Sequence, residues 1–256
     1  MKIPLLSCVV LAASLLHSAN AQVVVDENTE FKNAFYAEVI PFLRGPEATL
    51  QPQLAGFNLL EKDGYGTGYI YDFCANFDEG TAENWTYDTV TPGMGILGRQ
   101  DEIGALFSNA LPEFDEMLAD YIGDTGDWAL VPGHEAAYDQ LQAYAAGMQI
   151  ALWELIHEDA ATLSIDDTSG IDGNFRIDMD GAVPGSQADA ADFYAEQFLA
   201  NIRSTTNPWT NQGGYTYYFA DAPAGEQDRL WVAVPEPSTT LLGAFGILVL
   251  LRRRRP

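Results

Sequence analysis

The chain has 256 residues, of which 37 are acidic and 12 are basic, and its formal net charge is −25. A chain this negative repels phosphate backbones and anionic lipid headgroups, which argues against nucleic-acid binding and binding to membrane surfaces. The charge fits cationic partners, divalent metals or a salty habitat, and it also fits a surface charge that only keeps the protein soluble. The length is enough for one substantial domain with its own hydrophobic core.

The first 21 residues have the pattern of a cleavable secretion signal. Lys2 supplies the positive start, Leu5 to Leu16 form a mostly apolar stretch, and Ala19 to Ala21 give the small-x-small cleavage site. A transmembrane anchor would need roughly 20 consecutive apolar residues, more than this segment offers. We therefore predict an exported protein whose mature chain begins near Gln22.

The first predicted elements of the mature chain are strands and then helix. Residues 53–98 are rich in Gly, Tyr and Thr, and the run from Gly68 to Phe73 is strand-like between turn signals, which indicates a β-rich part. Asp101 to Ile122 has apolar residues at helical spacing, with Pro112 marking a break or a restart. This segment predicts one or two helices.

Two further helices are predicted in the second half of the chain. From Glu135 to His157 apolar residues recur at intervals of three and four, which predicts the longest helix, with one buried face. Ser186 to Arg203 predicts another helix, in which Ser186 is the candidate N-cap.

The remaining predicted strands lie around these helices. Thr162 to Ile165 and Asn174 to Met179 alternate as strands around a turn, and Tyr215 to Ala220 with Arg229 to Val234 indicate a β-hairpin. Together the elements predict a single α+β domain over residues 22–233, with helices inserted among strands.

Residues 234–256, at the end of the chain, consist of three distinct parts in a fixed order. These parts are the motif Pro235-Glu236-Pro237, an apolar run over residues 241–251, and the basic residues Arg252, Arg253, Arg254 and Arg255. This order resembles the PEP-CTERM sorting signal. The resemblance implies that an exosortase recognises and cleaves the tail, in a Gram-negative bacterium that makes exopolysaccharide.

The same tail also predicts a membrane contact. The basic residues resist crossing a membrane and would hold the tail on the cytoplasmic side, so the apolar run would be a transient transmembrane anchor in the inner membrane. The alternative is an ordinary C-terminal anchor that stays attached. If the anchor is transient and the tail is cleaved, the expected final location of the protein is the cell surface or the extracellular matrix.

The mature chain contains a single cysteine. Cys8 is removed with the predicted signal, which leaves Cys74 in a protein that is sent to an oxidising compartment. Thiols there are normally paired as disulfides or absent. Four explanations are open: a buried inert thiol, an intermolecular disulfide, a nucleophile in a Cys-His enzyme, or a thiol already used in some other covalent bond.

The residues around Cys74 and those 75 positions later carry a second resemblance. Cys74 stands in Tyr71-Asp72-Phe73-Cys74-Ala75-Asn76-Phe77, and the predicted long helix contains Gly147-Met148-Gln149-Ile150-Ala151-Leu152-Trp153-Glu154. The pair resembles the signature of bacterial thioester domains, in which an aromatic-Cys motif and a hydrophobic-Gln-x-Ala-(Ile/Leu)-Trp motif place a cysteine sulfur against a glutamine carbonyl. The resemblance implies an internal thioester between Cys74 and Gln149.

The same resemblance implies a function. In such domains the thioester reacts with an amine on a target and leaves the protein attached through the glutamine, so the expected role is adhesion, acting once per molecule and not as an enzyme. No cofactor is needed. Water would hydrolyse the bond, and the expected dry enclosure comes from the apolar residues Phe73, Phe77, Met148, Leu152 and Trp153.

The sequence leaves two alternatives to the thioester open, an enzyme and a non-reactive structural protein. A Cys-His hydrolase or transglutaminase-like enzyme would use His134 or His157, the two histidines of the mature chain, but neither stands in a recognisable motif. The main alternative is a non-reactive structural protein of the exopolysaccharide or biofilm matrix, with a free buried cysteine and a structural Gln149.

An acidic turn region is a weak candidate for calcium. It places oxygen ligands close together, namely those of Asp172, Asn174, Asp178 and Asp180. Its spacing does not fit the EF-hand loop. A solvated acidic turn region is the favoured interpretation.

Overall fold

A six-stranded antiparallel sheet packed against three helices forms the body of the protein. The computed structural model describes residues 23–24, 29–37, 40–44, 51–53, 55–62, 69–76, 86–87, 89–95, 97–158, 163, 165, 175–177, 184–223 and 227–233. The helices and the sheet lie in one body, which confirms the predicted α+β class.

The strands of the described part are arranged in three sheets. They are β1 (Val23–Val24), β2 (Thr29–Tyr36), β3 (Ile40–Arg44), β4 (Gln51–Gln53), β5 (Gly56–Lys62), β6 (Ile70–Cys74), β7 (Thr86–Tyr87), β8 (Thr89–Pro92), β9 (Phe175–Ile177), β10 (Thr216–Asp221) and β11 (Arg229–Ala233). The main sheet has the order β2-β5-β6-β11-β10-β8, and β4-β3-β9 and β1-β7 form the two smaller sheets. The predicted hairpin is present as the antiparallel pair of β10 and β11.

The central strand β6 is buried on both faces of the main sheet. Its five residues are all buried. Because side chains alternate along a strand, Phe73 faces the helices, where its ring centroid lies 4.7 Å from that of Phe107. Ile70 belongs to a second apolar cluster with Trp231 on the opposite face. Asp72 shares the parity of Ile70 and therefore that second face, whereas Cys74, at the end of the strand, belongs to the apolar cluster of Phe73 and Phe107.

The helices are α1 (Gln100–Thr125), α2 (Glu135–His157) and α3 (Gln187–Arg203). The bounds of α2 are those predicted, but α1, with 26 residues against 23, is the longer helix, so the prediction of α2 as the longest is wrong. Every residue of α2 from Ala143 to Leu155 is buried, so the expectation of one buried face is also wrong. The reason is that α3 covers the side of α2 that faces away from the sheet. A Cβ atom on Gly147 would lie 2.6 Å from Cβ of Tyr194, which shows how closely the two helices approach.

The other helix predictions are confirmed with one correction. Ser186 caps α3, and its hydroxyl accepts a hydrogen bond from the Asp189 amide at 3.3 Å. Pro112 does not break α1, which continues as one helix from Gln100 to Thr125. Leu111 and Phe114, on either side of the proline, are fully buried, so packing outweighs the hydrogen bond that proline removes.

The strand prediction between α2 and α3 is confirmed only in part. Phe175–Ile177 is a strand, and it pairs with β3. Leu163 and Ile165 are described, are buried, and belong to no strand. The other residues of that segment lie outside the described part of the chain.

Candidate functional site

Cys74 is the last residue of β6 and lies opposite Arg229, the first residue of β11. The next residue, Ala75, donates its N–H to the Asp228 carbonyl at 2.9 Å. In an antiparallel ladder the neighbouring Cys74–Arg229 pair is then the non-hydrogen-bonded kind, whose side chains lie closest together. The N–H and C=O of Cys74 consequently point away from β11, towards the side of β5.

On that side Gln149 takes the place of a neighbouring strand. The ladder between β5 and β6 ends at the pair Phe57–Phe73, so it does not reach the polar groups of Cys74. The Cys74 N–H donates to Oε1 of Gln149 at 2.9 Å, and Nε2 of Gln149 donates to the Cys74 carbonyl at 2.9 Å. Gln149 has no exposed surface and Cys74 is 7% exposed. The two residues singled out in the sequence are thus in direct contact.

The sulfur of Cys74 has different polar contacts. Nη1 of Arg229 donates to Sγ at 2.6 Å, and Sγ lies 3.0 Å from Oε1 of Gln227, to which the thiol donates. Nη1 also donates to Oε1 of Gln227 at 3.0 Å. Cys74 is a free, buried cysteine, and its sulfur lies in a polar pocket.

Arg229 is held by a buried carboxylate. Its Nε and Nη2 donate to the two oxygens of Asp72 at 2.8 and 2.5 Å, which is a bidentate ion pair. Asp72 also accepts from Trp231 at 3.1 Å and from Asn58 at 2.8 Å. Asp72 and Arg229 are 0% and 2% exposed, so this charged pair is fully enclosed.

These surroundings act on the acidity of the thiol. Burial raises the pKa of Cys74 to about 11, and the Arg229 guanidinium opposes that rise. Burial disfavours the charged form of Arg229, but Asp72 and Cys74 hold its pKa well above the ordinary value. The site therefore contains a protonated thiol at neutral pH beside a permanent positive charge.

The apolar residues expected around the bond are buried. Four of them are at most 1% exposed, namely Phe73, Met148, Leu152 and Trp153. Phe77 lies outside the described residues. Their burial is compatible with a dry enclosure.

The two histidines occupy separate places. His134 is the N-cap residue of α2. Nε2 of His157 lies 3.0 Å from the carbonyl oxygen of Ala75, the residue after Cys74. A carbonyl only accepts hydrogen bonds, so this nitrogen carries the proton and is not a free base in this arrangement.

The calcium candidates Asp172, Asn174, Asp178 and Asp180 lie outside the described residues. Within the described ranges no three His, Cys, Asp or Glu side chains are grouped so that they could hold a metal ion. Calcium binding in the acidic turn region stays a prediction.

The comparison with known proteins decides the interpretation of the tail. Residues 233–255 match the PEP-CTERM protein-sorting motif. The motif implies an exported protein that an exosortase sorts, as predicted from Pro235, Glu236, Pro237 and the arginine cluster. No curated protein and no solved structure matches the chain, so the resemblance to thioester domains stays a prediction.

Both terminal segments, residues 1–21 and 234–256, lie outside the described residues, and with them the apolar run 241–251. None of the helices described in the remainder is long and apolar enough to cross a membrane. The signal peptide and the transient anchor therefore stay predictions from the sequence.

Three residues of the site, namely Asp72, Gln227 and Arg229, were not identified from the sequence. Asp72 is an acidic residue inside a buried strand, and Arg229 begins an apolar strand. Each was a detectable signal, because a charge in such a strand needs a partner. The pairing of Arg229 with Cys74, and the approach of Gln227, depend on the register of β6 and β11, which the sequence does not reveal.

Proposed function

We propose that the mature protein forms an internal thioester between Cys74 and Gln149 and uses it for covalent attachment to an amine-bearing target at the cell surface or in the extracellular matrix. The observation that carries this proposal is the reciprocal pair of 2.9 Å hydrogen bonds between the Gln149 carboxamide and the Cys74 backbone. These bonds join residues 75 positions apart in a buried place. The sorting motif supports the location, because it implies export.

The contact suits thioester formation. In the proposed reaction Sγ of Cys74 approaches Cδ of Gln149 by rotation about the Cα–Cβ bond of the cysteine, a C–S bond forms, and the C–N bond of the carboxamide breaks. The thiol proton leaves with the amide nitrogen, so the products are one thioester and one ammonia. The Cys74 N–H already donates to Oε1 and would stabilise the negative charge that develops on that oxygen.

The second step would attach the target. An amine of the target attacks the thioester carbonyl, the C–S bond breaks, and a new amide joins Gln149 to the target. The amine supplies the proton that restores the Cys74 thiol. The original carboxamide is not regenerated, so each molecule acts once, which is adhesion and not enzymatic turnover.

A Cys-His enzyme finds less support. Neither histidine has a hydrogen bond to Sγ among the contacts of the described residues, and Nε2 of His157 is engaged with the Ala75 carbonyl. A hydrolase would need a histidine nitrogen that accepts the thiol proton.

The second candidate is a structural protein of the exopolysaccharide or biofilm matrix with a free thiol. The contacts of Sγ favour it, since the sulfur is bonded to Gln227 and Arg229. In this interpretation Gln149 only satisfies the backbone groups at the end of β6, which would otherwise be buried without partners.

Intact mass separates the two candidates. The protein is purified from cells that express the full chain, beside a Cys74→Ala variant, and weighed before and after exposure to methylamine. We expect the native protein to be lighter than its sequence by one ammonia and to gain one methylamine, and the variant to do neither. A native mass equal to that of the sequence, with Cys74 fully alkylated under denaturing conditions, would favour the structural protein.

A matched pair of variants identifies the partner of Cys74, because Gln227 also presents a carboxamide to the sulfur. We expect Gln149→Ala to keep its full sequence mass and Gln227→Ala to lose one ammonia. The reverse result would assign the thioester to Gln227 and contradict the proposed pair.

A further inference from the structure

We propose that Arg229, positioned by Asp72, is the catalytic group that binds the Cys74 sulfur as a thiolate, both before the sulfur turns to attack Gln149 and after an incoming amine has displaced it. This inference rests on the proposed thioester and adds a residue that acts on its reactivity in both directions.

The geometry divides the guanidinium into two parts. Nε and Nη2 are occupied by the carboxylate of Asp72, which fixes the plane of the group. Nη1 donates to Sγ at 2.6 Å and to Oε1 of Gln227 at 3.0 Å. A planar fork with fixed donors is the property that distinguishes arginine from lysine at such a site.

The charge matters because the thiolate is the nucleophilic form of cysteine. Burial raises the pKa of Cys74 to about 11, which reduces the thiolate fraction at neutral pH. Arg229 is the positive charge in contact with Sγ, and it opposes this effect of burial. Asp72 by its own charge raises the pKa of the thiol, so its contribution to reactivity is to hold Arg229 in place.

The same contact serves the displacement step. When an amine attacks the thioester, the C–S bond breaks and the electron pair stays on sulfur, and the reverse rotation of the cysteine side chain returns this thiolate to Nη1. A stabilised thiolate is a better leaving group. The amine proton passes to the thiolate or to solvent, so atoms and charges balance without another reactant.

The test uses the full chain and variants that keep the site foldable. Arg229→Gln combined with Asp72→Asn removes both charges together, so no buried charge is left without a partner. Arg229→Lys keeps the positive charge without the fork. Arg203→Gln removes an arginine near the surface that pairs with Glu196 at 3.7 Å and leaves Asp72 and Sγ untouched, which makes it the matched control. Thermal unfolding monitored by circular dichroism verifies that each variant is folded.

The first readout is the rate of methylamine addition as a function of pH, followed by intact mass. We expect the Arg229→Gln/Asp72→Asn chain to form less thioester and to add methylamine at least about tenfold more slowly. Arg229→Lys should recover part of the rate below about pH 10, where its amine is charged, and Arg203→Gln should react at close to the wild-type rate.

The second readout needs no thioester. In a Gln149→Ala background the thiol is free, and its titration is followed by the ultraviolet absorbance of the thiolate. We expect the midpoint to move to higher pH when Arg229→Gln and Asp72→Asn are added, and to stay in place when Arg203→Gln is added.

The outcomes separate the two proposals. A wild-type thioester that forms and opens at equal rates with and without the Arg229–Asp72 pair, or titration midpoints that coincide, overturns the role of Arg229 and leaves the thioester standing. A wild-type chain of full sequence mass overturns the proposed function and, with it, the catalytic role.

Discussion

Cys74 has two unlike sides. Towards β5 its backbone meets the neutral carboxamide of Gln149, and towards β11 its sulfur meets the ion pair of Arg229 and Asp72. The neutral side satisfies polar groups at the end of a strand, as buried backbone requires. The charged side is expensive, because desolvation of a buried ion pair can exceed its attraction. The difference is that the carboxamide of Gln149 is brought to Cys74 by a contact that also satisfies the end of the strand, whereas the charge beside the sulfur is held at a cost in free energy.

The largest expected effect comes from breaking the charged side. Arg229→Met leaves Asp72 buried without its ionic partner, and we expect the free energy of unfolding to fall by about 3–5 kcal/mol, measured by urea unfolding. The matched control is Arg203→Met, because Arg203 forms a 3.7 Å ion pair with Glu196 near the surface and should cost about 1 kcal/mol or less. Equal losses in the two variants would contradict the assignment of Arg229 to a buried pair.

Removing the hydrogen bonds of Gln149 should lower the free energy of unfolding by less than removing the charge of Arg229. In a Cys74→Ala background, where no thioester can form, Gln149→Leu leaves the N–H and C=O of residue 74 without partners and puts an apolar side chain of similar size in place of the carboxamide, so we expect a loss of about 2 kcal/mol in urea unfolding. Gln140→Leu, at an exposed position of the same helix, is the control and should change stability by about 0.5 kcal/mol at most. A Gln149 variant as stable as the control would mean that the carboxamide does not hold the end of β6.

The thiol should make stability depend on pH in one direction. Burial raises the pKa of Cys74 from 9.0 to about 11, so the folded chain binds this proton more tightly than the unfolded chain. Its contribution to stability is full below about pH 9 and is lost as the pH rises towards about 11. In a Gln149→Ala background we expect stability to fall more over this range with Cys74 than with Cys74→Ala. Urea unfolding at both ends of the range measures this difference, and parallel curves would contradict the raised pKa.

The smallest expected effect lies at the edge of the charged side. The hydroxyl of Tyr36 donates to Asn58 at 2.8 Å, and Asn58 in turn donates to Asp72. Tyr36→Phe removes its bond to Asn58 and the hydrogen bond between the Tyr36 hydroxyl and Arg229, and we expect a loss of about 1 kcal/mol with a less than about twofold change in methylamine addition, because Asp72 still holds Arg229. A large fall in the reaction rate would show that the polar network reaches the sulfur through Tyr36.

Local patterns predicted much of the fold. The bounds of α2, the cap at Ser186 and the β10–β11 hairpin follow from spacing and capping chemistry, which depend on residues close in the chain. The break at Pro112 was predicted from the same local logic and is wrong, because the buried residues around it stabilise a continuous helix.

Half of the candidate site could be found in the same way. Cys74 and Gln149 stand in short motifs, and the structure brings them into contact. Arg229 and Gln227 follow Cys74 by more than 150 residues, and no local pattern links them to it. Their approach to the sulfur results from the pairing of β6 with β11.

The sequence by itself determined the sorting motif, the α+β class and the pair Cys74 and Gln149, because each of these is written in residue types at short spacing. Only the tertiary structure decided which groups surround the sulfur. The non-hydrogen-bonded pairing of Cys74 with Arg229 places their side chains together, and the end of the β5–β6 ladder leaves the backbone of Cys74 open to Gln149. Strand register and the place where a ladder ends are properties of the folded sheet, since they depend on contacts between segments far apart in the chain.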